Sequence, residues 1–387
     1  MDAVSVTAPL GFTAAGVAAG IKGDGALDLA LVVVDGPAVG AGVFTTNLAA
    51  AAPVRLSRDH LALDPAVRAV VLNSGCANAA TGAEGAAAAE LMADEVARLL
   101  GCPGERVLVC STGPIGTKLP TAEVASGIAR AAGALAPDGG HDAAAAILTT
   151  DKVTKEVVVH GDGFTVGCMA KGAGMVRPDM ATMLAVLTTD AAVTPEDLDE
   201  ALRIAVDHSF HSLNIDGCPS TNDCVIAVAS QASGVRPDPL DLAAALTAAA
   251  GSLASQLAAD AEGASRVVAL SVSGTSDDTV ARDLGRAVAD SALVRTSFYG
   301  GDPNWGRIIG AIGSAGIPVA MDQIRITFEQ VVLAEHGVGT GVDEDAVADL
   351  LDGDFGVGIV VGEGPGHARI LTTDLTPEYV RFNGERS

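Results

Sequence analysis

The sequence predicts an α/β protein. Short Val- and Leu-rich runs have the length of strands, Ala-rich segments carry apolar residues on one helical face, and the two kinds alternate along the chain. At 387 residues, the chain is long enough for two domains, or for one large domain with a lobe. Apolar residues make up 49% of it, much of that Ala and Val, which supports a large core and excludes a disordered chain.

The elements follow in order. Residues 29–34 and 69–72 are unbroken apolar runs, as expected of strands buried on both faces. Residues 85–100 place Met92, Val96 and Leu99 on one face and stop at Gly101 and Pro103, which reads as a helix. A strand at 107–110 runs into Ser111-Thr112-Gly113-Pro114, and residues 123–135 are helical. Residues 157–160 and 164–169 flank Gly161-Asp162-Gly163, the pattern of a β-hairpin. A buried strand is expected at 183–188, and a helix at 195–207 with proline in its first turn. Residues 242–259 come nearest to a membrane span. Their leucines at 242, 246, 253 and 257 form a stripe on an Ala-rich background, which reads instead as a helix with one buried face. Residues 233–239 and 301–306 read as loops, and 267–272 and 324–328 as strands. From about residue 317 the strand character rises, suggesting a smaller C-terminal lobe.

The formal charge is 23 − 48 = −25. So acidic a surface repels nucleic acid phosphates and anionic lipid, so neither is an expected partner. The first residues lack the basic and apolar regions of a secretory signal. The six cysteines show neither Cys-x-x-Cys spacing nor a Cys/His cluster of zinc type, so reduced thiols in the cytoplasm, and no metal, are expected. The glycines at 356, 358, 362, 364 and 366 do not follow a dinucleotide-binding spacing, and no phosphate-binding Lys-Ser/Thr motif occurs. They read as strand ends and turns.

Chemistry concentrates in residues 169–184, where Lys171 precedes Gly172 and Gly174, Pro178 forces an extended or turn entry, and Thr182 opens an apolar strand. A threonine there is ordinarily just a β-branched residue that suits a sheet. Its hydroxyl becomes a useful nucleophile only with a base beside it. An N-terminal threonine carries one, because its own α-amine titrates at about 7.7–8.0. An internal threonine gains that amine when the preceding bond is cut, here by attack of its hydroxyl on the Ala181 carbonyl. The small Ala181 and the two glycines leave room for that geometry.

Residues 171–184 resemble the self-cleavage signature of the ornithine acetyltransferases, the bifunctional glutamate N-acetyltransferases of arginine biosynthesis. The resemblance extends along the chain: Pro9 to Phe12 with Gly20-Ile21-Lys22, then Val43-Phe44-Thr45-Thr46-Asn47, then Asn73-Ser74-Gly75 with Ala77-Asn78 and Thr81-Gly82. Ser111-Thr112-Gly113 with Ile115-Gly116, Thr149-Thr150-Asp151, Ser220-Thr221-Asn222-Asp223 and Glu262-Gly263-Ala264 follow in order. Asp302-Pro303-Asn304-Trp305-Gly306-Arg307, Asp374-Leu375-Thr376, Tyr379-Val380 and Asn383 complete it.

The resemblance implies the layered sheets and helices of that family and cleavage between Ala181 and Thr182. The products would be an α piece, 1–181, and a β piece, 182–387, associated as α2β2. Thr182 would take the acetyl group of N2-acetyl-L-ornithine as an ester and pass it to L-glutamate, with no cofactor. Thr112 and Gly113 would form the oxyanion hole, and Thr149, Lys171, Thr182, Glu262, Asn383 and Ser387 would contact substrate. Acetyl-CoA as a further donor stays open at this level. The chain departs from the family at Pro114, which replaces an aliphatic residue, and at its end, which lacks a tyrosine and is one residue shorter before Ser387. Three other readings compete: an N-terminal-nucleophile amidase or peptidase that passes the acyl group to water; a nucleotide-binding α/β protein, which the glycine spacing disfavours; and a non-catalytic relic of the family, against which the intact Lys171, Thr182 and Thr112-Gly113 set argues.

Overall fold

The computed structural model describes residues 5–175, 183–343 and 345–385. The expected cleavage site, Ala181 and Thr182, and the terminal Ser387 lie outside the described residues. The chain divides into two compact units, Met1–His211 with Cys218–Leu257, and Ser212–Gly217 with Ala258–Ser387.

The first unit is built on two sheets. One has four strands in the order Phe12–Val17, Leu29–Val34, Ala69–Asn73 and Val107–Ser111, antiparallel except for the last pair. The other has five, in the order Val39–Phe44, Cys224–Ala229, Leu184–Thr189, Thr165–Lys171 and Lys155–His160. Strand periodicity explains the unbroken apolar runs. Ala30, Val32 and Val34 point into a core shared with Met169, Val186 and Ile226 of the five-stranded sheet. Leu29, Leu31 and Val33 point the other way, onto Met92, Val96 and Ile128 of the helices Gly82–Leu100 and Thr121–Gly133. The four-stranded sheet is thus covered on both faces, so its strands lack polar alternation.

The hairpin expected at 157–169 is present, with Lys155 opposite Ala170 and His160 opposite Thr165. The helix at Pro195–Asp207 starts as predicted, its Thr194 cap accepting from the Asp197 N–H. The helix Pro239–Ala259 is long and apolar enough to cross a membrane. Its stripe, Leu242, Leu246, Leu253 and Leu257, is buried inside the protein, which is how a core helix reads.

The second unit carries a seven-stranded sheet, in the order Val338–Gly339, Val331–Glu335, Arg325–Phe328, Phe355–Val360, Val267–Gly274, Gly364–Thr373 and Leu213–Asn214. Helices Asp278–Ala289, Ala292–Tyr299 and Trp305–Ser314 cover it through Leu284, Val288, Phe298, Ile308 and Ile312. The lobe expected from about residue 317 lies within this unit. Its boundary falls earlier because Val267–Gly274 pairs with both Phe355–Val360 and Gly364–Thr373. The loop expected at 301–306 ends at Asn304, whose side chain accepts from the Arg307 N–H and caps the helix beginning at Trp305.

Candidate functional site

Two strand ends and a turn of the first unit meet at Lys171. The residue closes the Thr165–Lys171 strand and lies opposite Leu184, so the strand that follows the expected cleavage point starts beside it. Lys171 is buried, at 2% exposure. Its Nζ donates to Thr149 Oγ1 at 2.7 Å and to Thr112 Oγ1 at 3.2 Å, and lies 3.8 Å from Asp151 Oδ2. A hydroxyl that accepts from an ammonium still has its own proton to donate. Lys171 therefore orients the Thr112 hydroxyl as a donor.

Asp151 organises the cluster. Its carboxylate accepts from Lys155 Nζ at 2.8 Å, from the Gly172 N–H at 2.7 Å and from the Thr149 N–H at 3.1 Å. Burial pushes its pKa up. The charges of Lys171 and Lys155, with the Lys155 and Gly172 hydrogen bonds, outweigh burial and hold the acid down at about 2. Two buried ammonium groups thus share one ionised carboxylate, and among the described residues the cluster carries a net positive charge. In a buried place, that arrangement favours an anion.

Thr112 and Gly113 follow the strand Val107–Ser111. The Thr112 backbone is tied on both sides, its N–H to Asn73 O at 2.9 Å and its carbonyl to the Cys76 N–H at 3.1 Å. Gly113 sits at φ +138°, and a Cβ there would lie 2.5 Å from Cys76 N and 2.6 Å from Gly75 C, so only glycine fits. Among the described residues no group accepts from the Gly113 N–H. The departure at Pro114 costs no hydrogen bond to this loop, because the loop uses its carbonyl, which accepts from the Ala77 N–H at 3.2 Å.

The other expected contacts belong to the second unit. Glu262 lies in a turn after the helix Pro239–Ala259, not on a helix surface, and is half-buried. That turn is seated against the C-terminal helix Pro377–Gly384. Thr376 Oγ1 donates to Gly263 O at 2.5 Å, and a Cβ on Gly263 would lie 2.3 Å from Tyr379 N. Burial first, then Asp216, push the Tyr379 hydroxyl up to about 12; Arg295 opposes this, and Glu262 adds to it. Asn383 is exposed on that helix and donates to Tyr379 O one turn back, at 3.1 Å.

Sequence reasoning missed Lys155, and it noted Asp151 only within a motif. Their i, i+4 spacing was no signal, since it pairs side chains on a helix, whereas Asp151 lies in a loop and Lys155 opens the Lys155–His160 strand. Size does not locate the site either. An open cleft of about 740 Å³ runs past Phe44, Arg58 and His211 and includes no member of the Lys171 cluster. Among the described residues no group of three or more His, Cys, Asp or Glu side chains is placed to hold a metal ion.

A layered α/β scaffold thus sets a buried, net cationic cluster next to a loop whose Gly113 N–H has no acceptor among the described residues, surroundings that favour an anion. The model of the ArgJ family matches residues 13–387, and the chain belongs to that family. It is 46% identical over 386 residues to the arginine biosynthesis bifunctional protein ArgJ of Thermobifida fusca, spanning 99% of this chain and 100% of that one. It is also 46% identical over 399 residues to the protein of the same name from Mycobacterium tuberculosis, spanning 100% and 97%. A solved chain of ornithine acetyltransferase complexed with ornithine, from the same species, is 49% identical. That match covers 46% of this chain and 96% of the solved one, with a TM-score of 0.45.

Proposed function

We propose that this chain is a self-processing acetyltransferase of arginine biosynthesis that moves the acetyl group of N2-acetyl-L-ornithine to L-glutamate through Thr182. The full-length likeness to the bifunctional ArgJ proteins is the observation that carries the reading.

In the first step, the Thr182 hydroxyl attacks the Ala181 carbonyl, and the peptide nitrogen leaves with a proton as the new α-amine. Water then releases the α piece from the ester. In each transfer cycle, the α-amine takes the Thr182 hydroxyl proton as the oxygen attacks the acetyl carbonyl. The amine of ornithine leaves with a proton. The glutamate amine attacks the acetyl ester and restores the threonine hydroxyl. Two products leave in turn, so ping-pong kinetics follow. Each carbonyl passes through a tetrahedral oxyanion, for which Thr112 Oγ1 and the Gly113 N–H are the proposed donors. Lys171 and Thr149 are proposed to meet the substrate carboxylate, and Glu262, Asn383 and Ser387 to contact substrate. The cytoplasm and an α2β2 assembly are part of the same proposal.

The five-stranded sheet supports a cut chain that stays together. Val39–Phe44 and Thr165–Lys171 precede the cut, while Leu184–Thr189 and Cys224–Ala229 follow it. Six residue pairs join the pieces at each of two seams. The test is intact mass beside Thr182→Ala, with an acetylornithine assay run with and without glutamate. Two fragments, one for the variant, and glutamate-dependent release of ornithine are expected. A native chain that stays whole yet transfers acetyl overturns the N-terminal-amine mechanism. Free acetate released at a rate indifferent to glutamate makes the protein an amidase.

A further inference from the structure

The Ser220-Thr221-Asn222-Asp223 segment has no part in the mechanism so far, although both of its last two side chains are buried, at 3% and 0% exposure. Asn222 Nδ2 donates to Ser111 O at 2.9 Å and to Ala77 O at 2.6 Å. Ser111 is the residue before Thr112, and Ala77 belongs to the loop that receives Pro114. Asn222 thus holds the oxyanion-loop strand from behind.

Asp223, its neighbour, faces the other strand. Its Oδ1 accepts from the Met183 N–H at 2.8 Å, and the next residue, Cys224, donates its N–H to Met183 O at 3.2 Å. Both backbone groups of Met183, the residue that follows Thr182, are therefore held by one dipeptide. Among the described residues, Asp223 Oδ2 is buried without a hydrogen-bond partner of good geometry. Burial raises this carboxyl well above the ordinary range, against the pull of the Met183 N–H, the Lys171 charge and the Ser220 N–H.

We infer that Asn222 and Asp223 are positioning residues, a brace that sets the distance between the peptide of the Ser111–Gly113 loop and Met183, which leads into the Leu184–Thr189 strand. The inference rests on the proposed acetyl transfer through Thr182. Its physical basis is tolerance: a misplacement of about 1 Å between reacting groups can cost about 100-fold in rate. Adjacent residues in one extended segment have little freedom to separate, so bonds from both to two different strands fix that spacing directly. Outside the brace, Thr45 secures the same segment, through Thr45 Oγ1 to Ser220 O at 2.8 Å and the Thr45 N–H to Asp223 O at 3.0 Å. It touches neither Ser111 nor Met183 through these bonds, so it serves as a control.

The experiment compares Asn222→Ala, Asp223→Ala, Asp223→Asn and Thr45→Val in the full chain, by self-cleavage rate, transfer kcat and KM, and melting temperature. Both alanine variants are expected to lower kcat about 100-fold with KM within about threefold, and to slow cleavage comparably. Asp223→Asn keeps an oxygen for the Met183 N–H, and is expected to recover all but about tenfold. Thr45→Val is expected to lose stability while keeping kcat. The inference is overturned by an alanine variant with wild-type kcat, by Asp223→Asn as slow as Asp223→Ala, or by Thr45→Val as slow as either. Failure of both alanine variants to fold also overturns it, since the residues then serve the fold and not the site. A wild-type chain that neither cuts itself nor transfers acetyl refutes the proposed function instead. An active wild type with unaffected variants refutes only the brace.

Discussion

Replacing Thr112 by valine removes one hydroxyl and little else. The Thr112 backbone is held by Asn73 and Cys76, so the loop keeps its place without the side chain. Among the described residues, Lys171 loses one hydroxyl partner and keeps Thr149 at 2.7 Å and Asp151 at 3.8 Å. The stability cost is therefore that of one hydrogen bond, about 1 kcal/mol. The rate cost is larger, because the proposed role of the hydroxyl is to act where charge develops. Loss of one such donor typically lowers kcat by about 100- to 1,000-fold, or about 2.7–4 kcal/mol of barrier. Self-cleavage passes through a similar oxyanion and slows as well. The assay must therefore count cut chains by intact mass and express ornithine release per cut chain. A fall in kcat of that size with KM nearly constant is expected, and Thr112→Ser should return to within about tenfold of wild type. A valine variant with kcat within threefold of wild type, or with only KM raised, refutes the oxyanion assignment.

Other outcomes follow from the same geometry. Asp151 is held at about 2 against an ordinary 3.8, so its ion pairs contribute about 2 kcal/mol that is present above pH 4 and lost as pH falls through 2. Urea midpoints across that window should fall more steeply for wild type than for Asp151→Asn, and equal slopes remove Asp151 as the organiser. Gly113→Ala forces a Cβ into the Gly75–Cys76 backbone and should cost about 1–3 kcal/mol and block self-cleavage; a melting curve and intact mass like those of wild type exclude this packing. Cys218 is exposed, whereas Cys168 is fully buried and its thiol is pushed up by burial. A thiol reagent should label Cys218 first in the native protein, and Cys218→Ser should lose that fast phase; an unchanged fast phase places the reactive thiol elsewhere.

Much of the fold was legible because its signals are local. The runs at 29–34, 69–72 and 107–110 lack alternation since each face of their sheet meets a core, and that requires no knowledge of the partner. The leucine stripe of the Pro239–Ala259 helix and the Gly161-Asp162-Gly163 turn are equally local. Signals that depend on a distant partner were not legible. Asn222 meets Ser111 across 111 positions, and Asp223 meets Met183 across 40, and nothing in the spacing of either pair announces the contact. Asn304 shows a middle case: a capping asparagine moved the edge of an expected loop by two residues, through a hydrogen bond only three positions long. For the site, the order of motifs was readable, but the role of each member depended on which strand it faced.

The position of the expected cut within the five-stranded sheet links fold to mechanism. If the strands on each side of residues 181 and 182 were neighbours only of each other, cleavage would leave a single seam to hold the pieces. Instead the Leu184–Thr189 strand lies between Thr165–Lys171 and Cys224–Ala229, and the latter pairs in turn with Val39–Phe44. The two strands of the 182–387 piece are therefore flanked on both sides by strands of the 1–181 piece, and their side chains share one core through Met169, Val186 and Ile226. Separation would break two ladders and expose that core, a cost far above the gain from freeing the ends. Under the proposed mechanism, a chain built this way cuts the bond that creates its own amine base without loosening the strands that hold Lys171 and lead into Thr112.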